Sequence, residues 1–176
     1  MAYGISAPDR SSELQLERAV RGSKFEQEIR RSWRLVPNVW RVKFSDGGQG
    51  TKPADNLMLT MYCNILSELK RTNKDAFYLS FLRANQAKAL RDFDEIINHN
   101  YGLVFVSFQN DKEGIDEAYA FRFITGLKYM MRVNRASITL KDFRAGAIPV
   151  IELIRLEIDG ELGYDLRGLP GQCRFL

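Results

Sequence analysis

The sequence holds a single histidine, His99, and only two cysteines, Cys63 and Cys173. Chemistries that need several imidazoles are closed to it, and any Ser-His-Asp or Cys-His hydrolase would have to use that one residue. His99 lies in "INHNYG", at an expected helix end leading into a strand, where it caps or is solvated. Two cysteines far apart in the chain make neither a disulfide framework nor a thiolate zinc site, and such scarcity suits a reducing cytoplasm. No run approaches ~20 uninterrupted apolar residues, so no membrane span is expected. The first residues lack the basic-then-apolar order of a secretory leader. Internal repeats and low-complexity tracts are also missing. Catalysis, if there is any, rests on carboxylates and lysine.

What is present is a chain of 176 residues, 45% hydrophobic, enough for one domain with a substantial core and short for two. Residues 1–11, polar and small, read as a loose arm, and residues 12–176 as the domain. Lysine and arginine number 26 against 22 acidic residues, a net charge of +4 that permits a polyanionic partner without establishing one. The location of the charge carries more weight than its sum.

The stretch "SELQLERAVRGSKFEQEIRRSWRLV" predicts helix, with Val20, Phe25, Ile29 and Trp33 as an apolar stripe and arginines and lysines elsewhere. Gly22-Ser23 interrupts it, with Ser23 able to cap a second segment. "VWRVKF" is a short strand, and "SDGGQGTKPAD" is a loop. "NLMLTMY" and "ILSELK" form an antiparallel hairpin turning near Tyr62–Asn64; the rival is a helix over Ile65 to Lys74. "AFYLSFL" is extended, "ANQAKALRDFDEIINHN" helical, and "YGLVFVSFQ" a central strand with "DEAYAFRFI" as its antiparallel neighbour. Two short helices and a hairpin turning at "IDGE" complete the chain. This order gives an α/β or α+β mixed sheet flanked by helices.

Within the hairpin, charges interrupt an otherwise apolar pattern. Asp55 enters the first strand and Glu68 leaves the second, so antiparallel pairing makes the two carboxylates neighbours. Alternation then puts Glu68 and Lys70 on one face and Leu69 on the other. Two adjacent carboxylates beside a core repel unless a cation lies between them. Lys70 supplies part of that charge, and Mg²⁺ would supply more, taking carboxylate oxygens, the Leu69 carbonyl and waters. Such a site acidifies water and braces a phosphate, with Lys70 orienting the nucleophile or stabilising transition-state charge. The bland alternative is a solvated strand face, because "ELK" is a common tripeptide.

These residues resemble the PD-(D/E)xK nuclease pattern, as "PADN…SELK". The wider context resembles RecU and archaeal Hjc-type Holliday junction resolvases, especially short RecU-like proteins of bacteria and phages. It includes "SKFEQEI", "WRVKFSDGGQGTKPADNLML", "LSFLRANQAKAL", "GLVFVSF", "RASI" and a late "YDL". The resemblance implies a restriction-endonuclease-like α/β fold and a homodimer making paired, symmetric nicks in a four-way DNA junction with Mg²⁺ or Mn²⁺. It also implies Asp55 and Glu68 as metal ligands, Lys70 as the catalytic lysine, and Glu26 as the helical glutamate completing the acidic cluster, with Glu28 as its alternative. Gln86 matches a glutamine often found near such sites. Either Ser45 or Thr51 fills the hydroxyl position before the aspartate, since Pro53 stands where RecU-type patterns often have Thr. The segment before Asp55 is shorter than in full-length RecU proteins, so a junction-entering stalk is expected to be reduced or missing.

Apart from the resemblance, Lys24, Arg30, Arg41, Lys43, Lys52, Arg71 and Lys74 surround the expected site and are candidate phosphate contacts. The aromatic residues Phe77, Tyr78, Phe81, Tyr119, Phe121 and Phe123 are either dimer surface or ordinary core. The competing functions are another PD-(D/E)xK DNase acting on duplexes or ends, a non-catalytic DNA-binding protein of the same fold, and a basic domain with no nucleic-acid role.

Overall fold

The computed structural model describes residues 10–45 and 52–176. The expected arm over residues 1–11 lies outside the described residues up to position 9, and the backbone is already helical at Arg10. The first helix, α1 (Arg10–Ser32), runs through Gly22-Ser23 without the expected break. One glycine costs a helix about 1 kcal/mol. Burial of Phe25, Ile29 and Trp33 just beyond it more than offsets that. Val20, expected in the same stripe, is exposed instead.

Six strands make the central sheet: β1 (Trp40–Lys43), β2 (Asn56–Leu59), β3 (Asn64–Thr72), β5 (Asn100–Asn110), β6 (Ile115–Arg122) and β8 (Ile151–Glu152), hydrogen-bonded in the order β1-β2-β3-β5-β6-β8. Only β3 and β5 run parallel; the other pairs are antiparallel, so the sheet is mixed. Between them lies β4 (Ala76–Tyr78), which leaves the main sheet to pair with β7 (Ser137–Thr139). The expected extended run "AFYLSFL" is therefore strand only at its start, and Leu79–Phe81 form a 3₁₀ turn. A last hairpin, β9 (Arg155–Ile158) with β10 (Glu161–Tyr164), turns at Asp159-Gly160, both with positive φ, as the "IDGE" signal predicts.

The helices α2 (Ala84–Ile96), α3 (Phe123–Arg132), α4 (Leu140–Arg144) and α5 (Leu169–Gln172) complete the α/β architecture. Strand β5 shows why its sequence is apolar without alternation. Leu103 and Phe105 join the cluster under α1, with Phe25, Ile29, Met58, Ile65 and Leu69. Val104, Val106 and Phe108 join the opposite cluster, with Leu66, Leu90, Phe121 and Met130. A strand covered on both faces has no polar side to show. Gly102 lets α2 lie close on β5: a Cβ there would sit 2.1 Å from the Leu90 carbonyl oxygen.

Phe77, Tyr119, Phe121 and Phe123 are buried, which makes them core rather than dimer surface. The two cysteines, distant in sequence, meet in space. Both are buried free thiols in the α1-side cluster, with Cys63 Sγ 3.5 Å from the Pro170 carbonyl and Cys173 Sγ 3.3 Å from that of Leu169. Among the described residues no helix is long and apolar enough to cross a membrane.

Candidate active site

The β2–β3 hairpin forms in the predicted antiparallel register, with Asn56 opposite Ser67 and Leu59 opposite Asn64. Asp55 stands one step before β2, beyond the paired register, and lies beside Ser67 and Leu69, the two residues that flank Glu68. The Asp55 amide donates to the Ser67 carbonyl at 3.0 Å, and Asp55 Oδ2 accepts from the Leu69 amide at 2.7 Å. That second bond fixes the aspartate against β3 where β2 begins. In an extended strand the N–H and C=O of one residue leave on the same side, so the Leu69 carbonyl also points toward Asp55.

Glu68 is buried, 1% exposed, although it carries a carboxylate. Its Oε1 accepts from Lys70 Nζ at 2.7 Å and from Gln86 Nε2 at 2.7 Å. Gln86 is held in turn by its own helix: its Oε1 accepts from the Arg83 amide at 2.9 Å, fastening the first turn of α2. The other oxygen, Glu68 Oε2, is buried with no hydrogen-bond partner among the described residues. Burial, reinforced by the Asp55 charge, pushes the Glu68 carboxyl up to about 7 even with Lys70 and Lys52 opposing it. Lys52 Nζ lies 2.6 Å from Asp55 Oδ1.

Two neighbouring carboxylates, one with a buried oxygen unpartnered among the described residues and a raised proton affinity, and a strand carbonyl nearby form a donor set of hard oxygens. That set fits a divalent cation of the Mg²⁺ type. Asp55, Glu68 and the Leu69 carbonyl are the groups that would hold it. An ion there would answer Oε2 and the mutual repulsion together.

Some expected residues are placed differently. Glu26 does not join the pair. It ion-pairs with Lys43 on the α1 side of the sheet, in a hollow lined also by Ser23, Gln27, Arg30, Arg41 and Asn56. Among the described residues no three His, Cys, Asp or Glu side chains group as a metal cluster. The physical reason is strand alternation: Asn56, opposite Lys43 in the ladder, turns to α1, while Asp55 meets Glu68. Glu28, the alternative, is a structural anion, buried and paired with Arg71 and Arg155.

Arg71 is corrected with it. Its side chain is fully buried, bonded to Glu28, Ser107 (3.0 Å) and Tyr164 (3.2 Å), so it cannot meet a phosphate. It follows Lys70 on a buried strand, and alternation sends it into the α1-side core. The Lys52 side chain is likewise buried against Asp55 rather than presented to a backbone. Lys24, Arg30, Lys43, Ser45 and Lys74 are exposed, and Arg41 is half-buried. Lys74 rests over the Tyr78 ring at 5.2 Å. Thr51 lies outside the described residues.

Sequence reasoning missed the Glu28–Arg71–Tyr164 network. Its signal was the pairing of an acidic helix position with an arginine on a strand flanked by core residues.

No protein-family model matches the chain, and no curated protein matches it. Among solved structures, the chain is similar to that of Archaeoglobus fulgidus Hjc, described as a Holliday junction resolvase from an archaeal hyperthermophile. Identity is 14%, 70% of this chain and 93% of that chain are covered, and the TM-score is 0.47.

Proposed function

We propose that the chain is a divalent-metal-dependent endodeoxyribonuclease of the PD-(D/E)xK type. On this reading it resolves four-way DNA junctions as a homodimer, with Mg²⁺ or Mn²⁺ as cofactor. The observation that carries the catalytic part is the Asp55 carboxylate held on the Leu69 amide next to Glu68, with Lys70 two residues on and one buried carboxylate oxygen that has no partner among the described residues. The resolvase part is supported by the ordered motifs from "SKFEQEI" to "YDL" and by the two-fold symmetry that a dimer shares with a four-way junction.

When bound, the ion supplies an acidified water and positive charge against the phosphate. Asp55, held by the Leu69 amide, and Glu68, held by Gln86 and Lys70, would be its anchors. Lys70 is part-exposed, so its ammonium can turn from Glu68 to a non-bridging phosphate oxygen and stabilise the charge that develops there. Water oxygen bonds to phosphorus, the bond to the 3′ oxygen breaks, and the products are a 5′-phosphate and a 3′-hydroxyl. Gln86 orients Glu68 rather than touching DNA.

A second reading, a DNA-binding protein of this fold without cleavage, draws on the Lys52 ammonium seated against Asp55 and on the separation of Glu26 from the pair. A labelled four-way junction and a linear duplex, each incubated with Mg²⁺, Mn²⁺ or chelator, decide among the readings. Junction-selective, ion-dependent nicking is the expected result. Equal cutting of the duplex points to another DNase, and binding with no cutting in either ion points to the second reading.

A further inference from the structure

Helix α1 and strand β1 run side by side, and their two periodicities bring cations together. Arg30 and Arg34, four apart on the helix and the turn that follows it, face Arg41 on the edge strand. With Trp33 and Val39 the three arginines line a hollow of about 400 Å³, and no acidic residue among the described residues lines it. Their positive charges are poorly answered. Arg41 donates to the Arg30 carbonyl at 3.3 Å, a backbone acceptor that carries no full charge. Among the described residues Arg34 has only a long 3.9 Å contact to the exposed Asp159. Arg41 is half-buried, and both that burial and the neighbouring Arg30 and Arg34 charges depress its guanidinium. A fold that holds three like charges together spends stability on an arrangement that only an anion relieves.

We infer that the Arg30–Arg34–Arg41 hollow is a seat for a phosphate of the DNA backbone, separate from the phosphate that is cut. This rests on the DNA-cleaving reading above and adds to it a second contact, with Arg34 as a residue not previously assigned. Guanidinium forks match phosphate oxygens in pairs, and no base edge is needed for such a contact. The seat lies along the same sheet edge as the carboxylates, on the α1 side of it. Arg41 lies three positions back along the strand from Phe44, whose amide bonds the Asp55 carbonyl at 3.0 Å. Three residues of strand span ~10 Å. The smaller hollow nearer the pair shares Arg30 and Arg41 with the seat, and its one carboxylate, Glu26, is already neutralised by Lys43. The basic surface is therefore continuous along the α1–β1 groove.

The test is junction binding in chelator across a salt series, for the wild type, Arg34→Gln, Arg41→Gln and a control, Arg18→Gln. Arg18 is an exposed α1 charge outside the hollow. Each seat variant is expected to lower the slope of log affinity against log salt by about one, equally for junction and duplex. The control is expected to change it by less than half as much. Arg34 is exposed, so its variant keeps the test valid should Arg41→Gln fold poorly. Slopes for both seat variants equal to that of Arg18→Gln would overturn the seat and leave the nuclease reading standing. A wild type that binds neither DNA at low salt would overturn both.

Discussion

Glu68→Gln separates what the carboxylate does for an ion from what it costs the ion-free fold. A carboxyl moved from its ordinary 4.5 to about 7 by burial and by Asp55 is protonated more readily folded than unfolded. Below pH ~4.5 it is neutral in both states and carries no penalty. Between about 4.5 and 7 the folded chain holds the extra proton, so stability falls as pH rises, and above 7 the full penalty applies. At 1.36 kcal/mol per pH unit this amounts to about 3 kcal/mol, undiscounted for solvent because the group is 1% exposed. A glutamine keeps the acceptor for Lys70 and Gln86, and its amide can donate to Asp55 where Oε2 had no partner. Urea unfolding in chelator at pH 4.5 and pH 8 is therefore expected to show the wild type losing about 3 kcal/mol relative to the variant over that interval. Adding Mg²⁺ at pH 8 should stabilise the wild type, by about 2.7 kcal/mol at a hundredfold excess over its dissociation constant, and should stabilise the variant much less. A wild-type-minus-variant difference that moves by less than ~1 kcal/mol between the two pH values would refute the burial argument.

Asp55→Ala is expected to abolish ion-dependent nicking while leaving junction affinity in chelator within about twofold; a gel-shift titration beside the cleavage assay reads both, and normal nicking would remove Asp55 from the ion site. Glu28→Ala strands the buried Arg71 charge, so a loss of about 3–5 kcal/mol is expected by chemical denaturation, against a loss under 1 kcal/mol for Glu17→Ala, an exposed helix partner of Arg21. Gly102→Ala forces a methyl onto the Leu90 carbonyl and should destabilise by about 3 kcal/mol, read as a lower urea midpoint at unchanged slope.

The parts of this molecule legible in its sequence are those set by local periodicity. The β2–β3 hairpin, the buried centre of β5 and the "IDGE" turn each follow from alternation, apolar run or turn chemistry within a dozen residues, and each is present. The nearness of Asp55 to Glu68 belongs to this group, because a hairpin brings the start of one strand beside the end of the next. What was not legible depends on which face a charge occupies after long-range packing. Arg71 and Lys70 are consecutive basic residues, equivalent as composition, yet the first is sealed under α1 with Glu28 and the second stays part-exposed against Glu68. Glu26 and Glu28 differ by two positions, about 200° around the helix, and so meet Lys43 at the groove and Arg71 in the core respectively. No local rule assigns those partners, because they come from β1 and β3. The same packing set Arg34 beside Arg41 and thereby made a hollow of three guanidiniums from charges that, taken singly in the sequence, read as a solvated helix face. Charge in this chain acquires meaning only when the helix period of α1 is laid against the strand period of β1 and β3. That is why the nearness of Asp55 to Glu68 could be read from the hairpin while the grouping of Arg30, Arg34 and Arg41 had to wait for the fold.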